Sequence, residues 1–281
     1  MTKKKKAGTP FTLNESIQAK KALGQHFLND PKILGKIAEL AKIDPSLPVV
    51  EIGPGTGTLT HVLLQKARHL ITIEKDGELL PLLQEKFSAE ISDGRLTIVA
   101  GDIRTFNPEQ YGLHSSCYHL VANIPYYITG EILRFFLGHP ICPKNATLLV
   151  QKEVAQRIAK DRKESVLSLS VKAYGVPSVE GIVKRGSFSP PPKVDSAILR
   201  IEDISKTAFA DVSEENFFKV VKAGFKSKRK MLHGNLATFR NATDLQKIFA
   251  ELNIPWSTRA EDVPLSKWFL LATRLTNQAE S

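Results

Sequence analysis

The chain has little cysteine: two residues, Cys117 and Cys142, in 281. They form neither a metal-ligand spacing nor a disulfide framework, which excludes a disulfide-stapled scaffold and makes the reducing cytoplasm the expected compartment. No apolar run approaches the ~20 residues of a membrane span, so no membrane partner is expected. The opening Met-Thr-Lys-Lys-Lys-Lys lacks the apolar core of a secretory leader. His61, His69, His114, His119, His139 and His233 recur at no ligand spacing, so no metal site is expected. Acid is also scarce: 29 Asp and Glu face 39 Lys and Arg, a formal net charge of +10. That excess suits a polyanion, most commonly nucleic acid, against the alternative of charge kept for solubility. Lys3 to Lys6 cluster, as do Lys222, Lys226, Lys228, Arg229 and Lys230. Clustering favours nucleic acid and marks the second group as candidate RNA-binding residues.

The stretch Val49-Val50-Glu51-Ile52-Gly53-Pro54-Gly55-Thr56-Gly57 reads as a β-branched strand entering a glycine-rich turn. Leu59, Val62 and Leu63 then fall at helical spacing. Strand, glycine turn and helix begin a nucleotide-binding α/β unit. Position 58 is Thr, so the dinucleotide fingerprint Gly-x-Gly-x-x-Gly is unmet. Glu74 follows the next apolar run, about 20 residues beyond the loop, where an acid commonly binds a ribose hydroxyl pair. Glu51 stands just before the glycines and would repel a pyrophosphate, which favours a nucleoside cofactor without phosphates, such as S-adenosylmethionine.

Residues 1–20 are expected to form a flexible basic arm. Asp30 and Pro31 start a helix with Ile33, Leu34, Ile37, Leu40 and Ala41 on its apolar face. Further strands are expected at 70–73, 96–100, 118–122 and 146–150, separated by helices, which predicts a parallel sheet covered on both faces. Ligands bind beyond the carboxyl ends of such strands. Glu51, Glu74, Asp102 and Asn123, all at strand ends, are therefore expected to converge on one cleft. Strands at 179–183 and 194–201 are joined through Phe188-Ser189-Pro190-Pro191-Pro192, whose prolines stiffen the link. The strand signal stops near Asp203, which divides the chain into an α/β domain over 21–203 and a small all-helical domain over 204–281.

Asn123-Ile124-Pro125-Tyr126 carries the most specific chemistry. The exocyclic N6 of adenine is a poor nucleophile because its lone pair is conjugated into the ring. Acceptors from the Asn123 side chain and the Ile124 carbonyl would hold its two N–H groups and favour a tetrahedral nitrogen. Pro125 stiffens the turn and Tyr126 offers a ring for stacking. With these residues stand Gly24-Gln25-His26-Phe27-Leu28, Gly101-Asp102, Gln151-Lys152-Glu153-Val154 and Phe188-to-Ser196. Together they resemble the ribosomal RNA adenine dimethyltransferase family over nearly all of residues 20–235.

The resemblance implies a Rossmann-like methyltransferase domain with a mostly parallel sheet and a helical C-terminal domain. It implies dimethylation of two adjacent adenosines near the 3′ end of 16S rRNA in the small subunit or its precursor, by a monomer using S-adenosylmethionine. It places Gly53, Gly55, Glu74, Asp102, Leu28, His26 and Asn123 at the cofactor, with Glu74 on its ribose and Asp102 on its adenine amine. His26 stands where the family often has Asn, and Tyr127 where many relatives have Asn. It makes Tyr126 and Phe188 the base-stacking pair beside Asn123, Ile124 and Pro125. Two alternatives are the erythromycin-resistance branch, acting on large-subunit rRNA, and a non-catalytic RNA-binding assembly factor.

Overall fold

The computed structural model describes residue 20 and residues 24–276; the expected basic arm, apart from residue 20, lies outside them. Strands β1 (Phe27–Leu28), β2 (Val49–Ile52), β3 (Leu70–Glu74), β4 (Leu96–Ala100), β5 (His119–Asn123) and β6 (Asn145–Gln151) alternate with helices. Between them lie α1 (Pro31–Leu40), α2 (Thr58–Leu63), α3 (Leu80–Lys86), α4 (Ser88–Ser92) and α5 (Thr129–Gly138). Every residue of β2 and β3 is buried, as central parallel strands covered on both faces require. Asp30 caps α1 through its side chain, accepting from the Lys32 and Ile33 N–H groups, with Pro31 in the first turn. Leu34, Ile37 and Ala38 are the residues that α1 buries.

After β6 come α6 (Lys152–Ala159), α7 (Val166–Lys172), β7 (Val176–Val183), β8 (Phe188–Ser189) and β9 (Ser196–Glu202). The main sheet has seven strands in the order β4-β3-β2-β5-β6-β9-β7. Its first five are mutually parallel, whereas β9 runs antiparallel to both β6 and β7. The expected mostly parallel sheet is present, and its parallel part ends at β6. No helix long enough for a parallel crossover separates β7 from β9, so the two must turn back on each other. The intervening β8 leaves this sheet and pairs antiparallel with β1, Phe27 opposite Ser189 and Leu28 opposite Phe188.

The chain runs outward from β2 through β3 to β4, then crosses back to β5 on the other side of β2. This reversal makes the β2–β5 boundary a topological switch point, where a crevice opens beyond the strand ends. The remaining elements are helices: α8 (Glu214–Gly224), α9 (Leu232–Leu236), α10 (Ala242–Glu251) and α11 (Leu265–Thr276). Trp268 and Phe217 are fully buried there, and Phe217 stacks on Phe269 with ring centroids 4.4 Å apart.

Candidate active site

A cavity of about 200 Å³ lies at the switch point, bordered by the segments that follow β2, β3, β4 and β5 and by residues 24–28. Its glycine turn takes positive φ at Gly53, Gly55 and Gly57, with values of 64°, 57° and 75°, a conformation glycine adopts without a Cβ penalty. The Gly55 N–H donates to Glu74 Oε2 at 3.1 Å, and the Asp76 N–H to Glu74 Oε1 at 2.7 Å. Burial raises the Glu74 pKa, and these two backbone bonds act against it. A carboxylate held on the turn's own N–H repels phosphate and suits a ribose diol.

That repulsion does not come from Glu51, which is absent from the cavity lining. Successive strand residues face opposite sides of a sheet; Ile52 lines the cavity and Glu51 turns under α2. Its side chain is 1% exposed and accepts from Thr60 Oγ1 at 2.7 Å. Removal from water pushes its pKa up to about 8. Three of the four expected strand-end groups therefore converge, Glu74, Asp102 and Asn123, and the fourth is structural.

Residues 24–29 cross the cavity and are tied at both sides. On one side Gln25 Nε2 and Lys20 Nζ donate to Asp76 at 3.0 and 2.7 Å, and Thr58 Oγ1 donates to the Leu28 carbonyl at 2.9 Å. On the other, Asn123 Nδ2 donates to the His26 carbonyl at 3.1 Å. This bond orients the amide, leaving Oδ1 as the acceptor. His26 itself donates from Nδ1 to the Pro190 carbonyl at 2.8 Å and stacks on Tyr126 with centroids 5.9 Å apart. His26 thus lines the cavity, with its carbonyl on Asn123 and its ring on Tyr126.

Ile124, Pro125 and Tyr126 all line the cavity. Tyr126 Oη shares a hydrogen bond of 2.5 Å with Ser196 Oγ, and burial raises its pKa. Phe188 does not line the cavity: it is 5% exposed and packs in a core cluster with Leu28 and Ile198. Pairing of β8 with β1 turns it inward, so of the expected stacking pair Tyr126 alone lines the cavity. Tyr127, 59% exposed, and Glu131 also line the cavity. The sequence reading gave Glu131 no role, and only the turn of α5 onto the rim could reveal it.

Asp102 ends β4 among four protein donors. Arg104 donates from its backbone N–H and Nε to Oδ1, each at 3.0 Å, and from Nη2 to Oδ2 at 2.5 Å. Lys75 Nζ lies 3.0 Å from Oδ2. The Arg104 side chain is the main cause that holds the Asp102 carboxyl below the usual carboxylate range. Lys222, Lys226, Lys228, Arg229 and Lys230 are exposed on and after α8, away from the cavity lining. Among the described residues no cluster of three or more His, Cys, Asp or Glu is arranged to hold a metal, and no helix is long and apolar enough to cross a membrane.

Known proteins share this architecture. A protein from Dehalococcoides mccartyi called ribosomal RNA small subunit methyltransferase A is 39% identical over 256 residues, covering 90% of this chain and 87% of that one. The protein of the same name from Enterococcus faecalis is 35% identical over 98% of both chains. Among solved structures, a dimethyladenosine transferase from Plasmodium falciparum superposes with a TM-score of 0.73 at 27% identity, over 88% of this chain and 96% of that one. The 23S rRNA methyltransferase ErmE superposes with a TM-score of 0.71 at 28% identity, over 89% and 99%. The family profile described as ribosomal RNA adenine dimethylase matches residues 16–277. The glycine turn, the Glu74 carboxylate beside it and the oriented Asn123 thus sit in a chain that belongs to the ribosomal RNA adenine dimethylase family.

Proposed function

We propose that this protein dimethylates N6 of two adjacent adenosines near the 3′ end of small-subunit ribosomal RNA, in the subunit or its precursor. It would act as a cytoplasmic monomer with S-adenosylmethionine as methyl donor. The observation that carries the reading is the Asn123 amide, oriented by the His26 carbonyl at 3.1 Å in a cavity that also holds Glu74 and Tyr126. The small-subunit assignment follows the curated relatives, which carry that name at 35–39% identity. The similarity to ErmE makes large-subunit rRNA the alternative.

The residues present fit the donor. A Cβ at Gly53 or Gly101 would meet no atom within 4 Å, so the backbone is open to close approach at both cavity-lining turns. Glu74 would accept from the ribose, Asp102 would accept from the adenine amine once one of its present donors leaves, and Ile52, Ile73 and Ile103 supply apolar walls. When bound, S-adenosylmethionine supplies a methyl group already activated by its sulfonium. Asn123 Oδ1 and the Ile124 carbonyl accept from the target amine and draw its lone pair out of conjugation, an interaction that strengthens toward the transition state. Tyr126 stacks the extruded base, a contact worth about 1–3 kcal/mol. No strong base is needed, because the amine becomes acidic on attack and releases its proton afterwards.

Single-turnover transfer to purified small subunits tests the reading. Asn123→Ala is expected to slow mono- and dimethyladenosine formation by about 10²-fold or more at saturating RNA and cofactor, the scale of losing one oriented transition-state contact. A normal rate for both steps would sink the mechanism. Transfer to large-subunit RNA in preference to small subunits would move the protein to the other branch.

A further inference from the structure

We propose that Arg104 couples cofactor binding to RNA binding, by competing with the cofactor's adenine amine for Asp102 and, once displaced, contacting a substrate phosphate at the cavity rim. The inference rests on the reading above that Asp102 receives the adenine amine. A carboxylate offers about four lone-pair positions. At Asp102 all four are taken: Oδ1 accepts from the Arg104 N–H and Nε, and Oδ2 from Arg104 Nη2 and Lys75 Nζ. An adenine amine can be accepted only if one donor leaves. The backbone bond belongs to the turn that Asp102 caps, Ile103–Thr105, and stays with it. The Arg104 side chain is 59% exposed, so its fork can swing into water, and guanidinium stays charged throughout.

Where the fork can swing is set by its neighbours. Arg104, Tyr127 and Glu131 line one cavity, and Glu131 is near enough for its charge to act on the guanidinium. Asp102, Tyr127 and Glu131 thus surround Arg104 on one cavity lining. A phosphate of the entering strand matches the planar fork bidentately. With Asp102 occupied by the amine, Arg104 no longer has to break a bidentate ion pair to meet that phosphate. Cofactor and RNA therefore tighten each other, and linkage makes the two effects equal.

The test measures the affinity of the full-length protein for purified small subunits with and without saturating S-adenosylhomocysteine, the demethylated cofactor product, which permits no turnover. Wild type is expected to bind RNA about tenfold more tightly with the nucleoside present, within the usual range of coupling. In Arg104→Met that ratio is expected to fall to near one, while nucleoside affinity without RNA stays the same or rises. Arg104→Lys, which keeps the charge and loses the fork, is expected to restore only part of the ratio. An unaltered ratio in Arg104→Met, no coupling in wild type, or weaker nucleoside binding by Arg104→Met would each overturn the proposal. Asp102→Ala separates it from the underlying reading: nucleoside affinity like that of wild type in this variant would remove Asp102 from the cofactor site.

Discussion

Glu51 lies under α2, where burial raises its pKa to about 8 from a usual 4.5. It therefore keeps its proton at neutral pH in the folded state and loses it on unfolding. Its contribution to stability is complete below the unfolded value and disappears as pH rises through about 8, because the folded state binds the extra proton only in that window. The melting temperature of wild type is expected to fall across this window more steeply than that of Glu51→Gln, as thermal melts at several pH values would show; parallel curves would mean that Glu51 is already ionised. Phe188 yields a second expectation. It is buried with Leu28 and Ile198, so Phe188→Ala should destabilise the fold by about 3–5 kcal/mol, seen in urea unfolding. Full stability with weakened RNA binding would return Phe188 to the base-stacking role. At this scale Glu74, Asp102 and Asn123 were legible as polar residues closing apolar runs. Glu51 misled because a one-residue offset along a strand exchanges cleft for core.

The glycine turn and α2 behave as one element. Gly57 is the N-cap residue of α2 at φ 75°, and a Cβ there would lie 2.5 Å from the Phe87 ring. Gly57→Ala therefore combines a left-handed backbone with overpacking, and overpacking alone costs about 1–3 kcal/mol. It is expected to lower the melting temperature and weaken S-adenosylmethionine binding together, by calorimetry on the same preparation. Loss of neither would mean that the turn tolerates a side chain. Strand–helix alternation disclosed the parallel part of the sheet, where each strand carries its own apolar run. It did not disclose β1 and β8: two residues each are too short for any periodicity, and they are strands only because they pair with each other. The triproline segment read as a stiff linker; its Pro190 carbonyl in fact receives the His26 side chain.

Over the whole molecule, the C-terminal basic cluster lies outside the cavity lining. The cations Lys226, Lys228, Arg229 and Lys230 follow α8 in the helical part, whereas Glu74, Asp102 and Asn123 line the switch-point cavity. Phosphate contacts position a substrate without reading its bases. Replacing these four by Ala is expected to weaken RNA binding and flatten its salt dependence by about 0.7–0.9 in log–log slope per lost contact, with S-adenosylmethionine affinity unaltered. Fluorescence titration over a series of salt concentrations measures this; an unaltered slope would make the cluster a solvated surface. The sequence by itself determined the α/β class, the glycine turn, and Glu74 and Asn-Ile-Pro-Tyr as candidate site residues. Each of these is written in neighbouring residues, through strand period, turn conformation or side-chain type. Tertiary structure alone decided that Glu51 is buried, that Phe188 turns inward, that His26 orients Asn123 through its carbonyl and that Arg104 fills Asp102. Those outcomes depend on which segments pack together and which side of a strand each residue faces. Apart from Arg104, they join residues far apart in the chain, and even Arg104 matters only because its turn closes onto the cavity rim.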